Sequence, residues 1–306
     1  MRADQVLAAA GLAPEVGAAP SQQRFPDGAH FRIEIPSVEG PAVLAAVLDE
    51  AGRRDVVVNR VSQGSGSMLH SEAELTEMAR IGASAGLEVS LFVGPREEWG
   101  IAAMSRAADG GSLAGGVRGM RQLRYAVEDV LRAVDCGIRG FLVADLGLLR
   151  VLVAAQTAGD VPQDVVWKVS VLAAPSNPAT IALLAELGAG TVNLPTDLTL
   201  AELAEMRAAT TLPLDLYVEA PDAMGGVVRG EQVADLVAVA APLYVKFGLR
   251  NSRPLYPSGL HLQHDAELIA REKVRRAQIS LEWLARSQSD LSQSKPGATG
   301  LAVPRP

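Results

Sequence analysis

Lys246 lies in PLYVKFGLRNS (242–252), where Tyr, Val and Phe otherwise suit a covered β-strand. Lys168 has the same kind of setting in VVWKVSV (165–171). A lone buried ammonium costs several kcal/mol and tends to shed its proton, so an amine so placed is either paired or reactive. With its pKa depressed it suits a Schiff-base nucleophile, and paired it suits an electrostatic clamp. Three carboxylates have comparable positions: Glu34 in FRIEIP (31–36), Asp145 at the end of IRGFLVAD (138–145) and Glu219 at the end of LDLYVE (214–219). Of these, Glu219 and Asp145 are the expected general acid/base groups beside Lys168 and Lys246. Glu34, Asn59, Arg60, Asn193, Tyr217 and Arg250 are expected to bind substrate. No cofactor is called for, but Glu34, Asp145 and Glu219 together offer an alternative, a divalent metal site.

These residues need a frame that brings distant segments to one place. From residue 31 onward, short β-branched runs alternate with Ala/Leu/Glu-rich stretches of helical period, the pattern of a parallel sheet wrapped by helices. Eight strand candidates can be marked: 31–36, 55–60, 87–93, 138–145, 165–171, 191–195, 214–219 and 243–248. ASAGLEVSLF, AVDCGIRGFL and AELGAGTVNL each end a helix and resume as a strand within a few residues, with Gly86, Gly137 and Gly188 as the left-handed residue past the helix end. This repetition predicts an α/β fold, a closed (β/α)8 TIM barrel in one domain, with an open doubly wound sheet as the rival. Turning the apolar residues toward the helices leaves Arg32, Glu34, Asn59, Ser90, Asp145, Lys168, Ser170, Asn193, Asp215, Tyr217, Glu219 and Lys246 facing the axis. Arg32 and Asp215 are expected to be structural ions, while the groups nearer the carboxyl ends stand where this fold keeps its chemistry.

The expected organisation is a helix and lead-in over 1–30, the barrel over 31–287 and a disordered tail over 288–306, which lacks periodicity. The longest interruption, 94–119, follows the third strand and is expected to be a mobile lid over the active-site face.

Bulk properties narrow the function. A net charge of −7 with few aromatics argues against nucleic acid and leaves a small-molecule substrate as the expected partner. Cys136 is the single cysteine, which excludes an internal disulfide and a thiolate-held iron–sulfur cluster. No apolar run is long enough to span a membrane and no secretory signal is legible, so the expected location is cytoplasmic. A homo-oligomer is left open. His261 and His264 form an HxxH near the start of the last helix, a weaker metal option. Arg250, Asn251 and Arg253 occupy the quarter of the fold that often binds anions.

The segments CGIRGFLVADLGLL, WKVSVLAAPSNPATIALLAELGAGTVN and LPLDLYVEAP resemble TIM-barrel proteins labelled peptidase, at the margin of the collagenase-like unclassified peptidase family, number thirty-two. The resemblance implies the barrel. It carries over no catalytic residue, and the iron–sulfur cysteines of family members acting on RNA or in quinone synthesis are missing here. The leading expectation is an enzyme acting on a small polar, carboxylate-bearing metabolite by lyase, aldolase or isomerase chemistry. A peptidase or amidohydrolase is the alternative, and a non-catalytic binding barrel the third reading.

Overall fold

A computed structural model describes residues 18–100, 103–107 and 110–306. Eight parallel strands close in sequence order, β8 pairing with β1. They are β1 (Phe31–Pro36), β2 (Arg60–Gln63), β3 (Glu88–Phe92), β4 (Gly140–Val143), β5 (Val166–Val169), β6 (Thr191–Asn193), β7 (Leu214–Glu219) and β8 (Leu243–Phe247). The helices between and after them are α1 (Pro41–Arg54), α2 (Glu72–Ala85), α3 (Gly119–Asp135), α4 (Leu146–Ala158), α5 (Pro178–Glu186), α6 (Leu200–Ala208), α7 (Val233–Ala240) and α8 (Gln263–Arg286). The expected (β/α)8 barrel is therefore the fold, and the open sheet is excluded.

Alternation along the strands divides the interior in two. Ile33, Ile35, Val89, Leu91, Phe141, Trp167, Val169, Leu216 and Val245 belong to the buried apolar layer beneath the helices, where the Trp167 indole N–H donates to Gln156 on α4 at 2.7 Å. Their neighbours Arg32, Glu34, Arg60, Glu88, Lys168, Asp215 and Lys246 are just as buried but polar, and they fill the barrel axis. Gly86, Gly137 and Gly188 have φ of 61°, 96° and 91°, the left-handed geometry expected where helix turns into strand.

Two elements depart from expectation. The second strand is Arg60–Gln63 rather than 55–60: Asp55 is itself left-handed (φ 53°) and ends α1, so 55–59 is a connector whose Val56 and Val58 are buried without joining the sheet. The tail over 288–306 is ordered rather than disordered. It crosses the amino-terminal end of the barrel, where Gln293 pairs with Phe31, the Gly297 N–H donates to the Gly86 carbonyl at 2.7 Å and the Arg305 N–H to the Gly137 carbonyl at 2.8 Å. Its polar sequence is explained by what it satisfies. Arg32 donates to Ser294 Oγ at 3.0 Å and to the Thr299 and Gly300 carbonyls at 2.7 and 3.1 Å.

Of the expected N-terminal segment, 1–17 lie outside the described residues. Residues 18–30 run against the same end of the barrel, with Ser21 bonded to Ala238 and Ala241 and Phe25 buried. Among the described residues no helix is long and apolar enough to cross a membrane.

Candidate active site

Glu34 is the hub of the barrel axis. Lys168 Nζ lies 2.5 Å from its Oε1, Ser62 Oγ donates to the same oxygen at 2.6 Å, and Lys246 Nζ is 3.3 Å away. Arg60 Nη1 reaches its Oε2 at 3.2 Å. The strand pairing explains this convergence: Glu34 stands opposite Lys246 on β8 and Arg60 on β2. Lys168 reaches across the barrel from β5, and one carboxylate thereby holds two ammonium groups.

The charges set each other's protonation. Burial works against the Glu34 carboxylate, but Lys168, Lys246 and Arg60 outweigh it and hold its pKa far below the usual range. Lys168 is pushed down to about 7 by burial and by Lys246, against the opposing pull of Glu34. At neutral pH its amine is therefore poised between charged and neutral forms. Lys246 also donates to Asn193 Oδ1 and lies 4.4 Å over the Tyr217 ring, and burial holds the Tyr217 phenol well above its ordinary pKa.

Below this layer lies a second one. Arg60 donates to Glu88 at 2.5 Å and to Asp215 at 2.6 Å, its guanidinium stacks 3.4 Å over Tyr244, and Thr191 Oγ1 closes on the other Asp215 oxygen at 2.5 Å. These charges are paired and remote from the carboxyl ends of the strands, which makes them a structural floor. Above them Ser90 Oγ is buried without a hydrogen-bond partner, as is Arg60 Nη2.

The structure thus gathers Lys168, Lys246, Glu34, Arg60, Asn193 and Tyr217, and leaves four expected residues elsewhere. Asn59 precedes β2 at the base, where its side chain accepts from the Ile33 N–H and donates to the Ser294 carbonyl, a tail anchor in place of a substrate contact. Asp145 caps α4, accepting from the Leu148 N–H at 2.8 Å and the Val117 N–H at 3.0 Å. Glu219 is diverted by a bulge in β7 after Tyr217, which sets it opposite Phe247 instead of in line with Lys246. Its carboxylate accepts from the Arg250 N–H at 3.1 Å and faces Arg276 on α8 at 3.7 Å. The Arg250 side chain is exposed and lies near Asp222, while Arg253 pairs with Asp265. The alternative metal triad of Glu34, Asp145 and Glu219 is consequently not assembled, and among the described residues no group of three His, Cys, Asp or Glu is placed to hold a metal. His261 and His264 are exposed on the surface. Glu88 is absent from the expected set, although it stands two residues before the inward Ser90 and the same alternation turns it to the axis.

The mouth is covered by the loop after β3. Residues 101–102 and 108–109 of the expected lid lie outside the described residues; the rest forms short 3-10 turns over 97–99, 104–106 and 111–113. Arg96 fixes the root of this loop. Its guanidinium donates to the Gly64 carbonyl after β2, stacks at 3.7 Å on Phe92 and 4.5 Å on Trp99, and lies 5.9 Å from the Tyr256 ring after β8. Tyr256 is in turn hydrogen-bonded to Ser37 after β1 at 2.6 Å, and Glu39 accepts from the Gly64 and Ser65 N–H groups. Four loops are joined in this way, and Lys168 and Lys246 are left 1% and 3% exposed beneath them.

Fold and centre together define a (β/α)8 barrel with a lysine–carboxylate–lysine core. Residues 118–221, from the start of α3 to just past β7, match the model of peptidase family U32. This segment contains Lys168, Asn193 and Tyr217. No curated protein sequence matches the chain. Similar solved structures include the U32 peptidase Mk0906 (17% identity, 68% of this chain and 73% of that one, TM-score 0.39). A protein of Streptococcus agalactiae assigned to copper homeostasis, CutC, is 12% identical over 70% of this chain and 98% of its own, TM-score 0.46. One of Burkholderia cenocepacia assigned as a lyase or mutase is 16% identical over 77% and 78%, TM-score 0.44.

Proposed function

We propose that this protein is an enzyme that acts on a small, polar carbonyl compound bearing a carboxylate, using Lys168 as an imine-forming amine. The supporting observation is the shared carboxylate: Glu34 fixes Lys168 and Lys246 side by side at the axis, while burial and the like charge bring the Lys168 amine to about 7. The neutral amine adds to the substrate carbonyl carbon, and the carbonyl oxygen takes up the proton that the nitrogen loses and a second one from water, then departs as water. The resulting iminium draws electrons from the adjacent carbon, which is what lyase, aldolase and isomerase reactions require. Lys246, held by Asn193 and Glu34 over the Tyr217 ring, supplies the fixed positive charge for the substrate carboxylate. Glu34 is too strongly held as a carboxylate to act as the proton carrier and serves to position the two amines.

Borohydride reduction in the presence of pyruvate, glyoxylate and short 2-oxo acids tests this reading. The expected result is a stable adduct mapped by mass spectrometry to Lys168 and absent from Lys168→Arg. No adduct in the native chain under any of these carbonyl probes sinks it. A second reading, peptide hydrolysis, is supported by the family match over 118–221 alone, and cleavage of a mixed peptide library by native protein but not by Lys168→Met would favour it.

A further inference from the structure

Outside the barrel axis, a cavity of about 310 Å³ opens between α3 and the loops after β2 and β3, lined by Met68, Pro95, Tyr125, Glu128, Asp129 and Arg132. We propose that it is a second ligand site, for a small organic monocation with an apolar body.

Charge accounting in the cavity carries the argument. Arg132 donates to the His70 and Ser67 carbonyls at 2.9 Å each and lies 3.4 Å from Asp129, so its guanidinium is committed to the wall. The remaining Asp129 oxygen accepts from Ser67 Oγ at 2.6 Å and from the Gly94 N–H at 3.2 Å. This buried carboxylate ties both loops to α3 and makes the floor rigid. Arg132 and Asp129 cancel, and the charge left over is Glu128, which is exposed and has no ion-pair or hydrogen-bond partner among the described residues. Beside it the Tyr125 ring and the Met68 thioether are 53% and 43% exposed, and Pro95 adds a flat apolar face.

An uncovered aromatic face next to a free carboxylate attracts a cation from two sides. The thioether and the proline give its apolar body something to touch. An anion would meet the Glu128 carboxylate, and the Arg132 guanidinium that could receive it is already held by the His70 and Ser67 carbonyls. The volume stands at the small end of the range for small-molecule cavities, which suits a ligand the size of an arylalkylamine.

Isothermal titration of the full chain with 2-phenylethylammonium provides the test, with 3-phenylpropionate and 2-phenylethanol as the anionic and neutral counterparts. Saturable binding of the ammonium at a Kd of about 1 mM or tighter is expected, with the other two at least tenfold weaker. Glu128→Gln and Tyr125→Ala, both at exposed positions outside the barrel axis, are each expected to weaken it about tenfold with unchanged melting temperature. The idea is overturned if the native chain shows no saturation, if phenylpropionate binds as well as the ammonium, or if both variants bind like the native protein. Lys168→Met should leave this binding intact, which separates it from the reaction proposed for the axis.

Discussion

Replacing Glu34 by Gln removes one charge and almost no volume from the barrel axis, and its consequences follow from the contacts. Arg60 keeps Glu88 and Asp215. Lys168 and Lys246 lose the carboxylate that sits 2.5 and 3.3 Å from them. Breaking a buried pair by removing one partner costs roughly 3–5 kcal/mol when the orphaned ion stays charged. Here the orphan has a way out, because Lys168 is already lowered to about 7 and can shed its proton at neutral pH. The folded variant binds fewer protons than the folded native chain while the unfolded states bind the same number, so the variant's stability climbs more steeply with pH, by up to about 1.4 kcal/mol per unit for each proton lost. The expected deficit relative to the native protein is therefore about 5 kcal/mol at pH 5.5 and about 3 at pH 7, and it levels off just below that by pH 9.5, where Lys168 is neutral in both folded proteins. Urea unfolding followed by circular dichroism at the three pH values measures it. In a thermal melt, 3 kcal/mol corresponds to a drop of roughly 6 °C for a chain of this size. A deficit that stays constant from pH 5.5 to 9.5 would falsify the electrostatic account and make Glu34 a packing residue. No deficit at any pH would remove it from the centre altogether.

Lys246→Met takes away the like charge that helps depress Lys168 while leaving Glu34 with Lys168, Arg60 and Ser62, so the fold should survive and the pH midpoint of borohydride trapping at Lys168 should move upward; an unmoved midpoint counts against the coupling. In the native chain Lys168 and Lys273, the latter buried on α8 with its Nζ donating to the Pro36 carbonyl at 2.8 Å, are both brought to about 7, a cost fully present below that pH and relieved as pH rises toward their unfolded value, whereas buried Tyr217 and Tyr244 resist ionising above pH 10 as the unfolded tyrosines do not. Stability should accordingly rise from pH 7 to about 10 and fall beyond it, which a series of urea midpoints will show or deny. Arg96→Ala removes the link between the loop after β3 and Gly64 together with the stack on Phe92 and Trp99, and faster amide exchange at Gly64, Ser65 and Trp99 is expected with exchange in β5 and β6 unchanged. Deleting 292–306 strips Arg32 of three acceptors and should cost on the order of 3 kcal/mol or more, read as a lower urea midpoint; an unaltered midpoint would show that water replaces the tail at no cost.

The barrel was legible because its signals repeat: Gly86, Gly137 and Gly188 mark three equivalent junctions, and two-residue alternation turns Glu34, Lys168, Asn193, Tyr217 and Lys246 to one side. Alternation fails where the backbone inserts a residue. The bulge after Tyr217 rotates Glu219 toward α8, and nothing in LDLYVE announces it. Asp145 shows how a carboxylate at a strand's carboxyl end also stands at the next helix's amino end, where it caps that helix. Valines 56–58 look like a strand because burial under the barrel selects the same residue types as a sheet does. The tail was the hardest case. Its Ser, Gly and Thr residues have no pattern of their own, since their carbonyls serve Arg32 and Asn59, more than 230 positions away in the chain.

The layered floor of Arg60, Glu88 and Asp215, sealed underneath by Arg32 and the tail, makes the barrel a blind well. In the proposed reaction a molecule reaching Lys168 would have to pass the joined loops that carry Arg96 and Tyr256. With two reactants, the one admitted first is trapped below the second and is the last to escape, so release would be compulsorily ordered. Each turnover of the proposed reaction would also need the loops to part at least twice, which would make its rate sensitive to solvent viscosity even when the bond-making steps are fast.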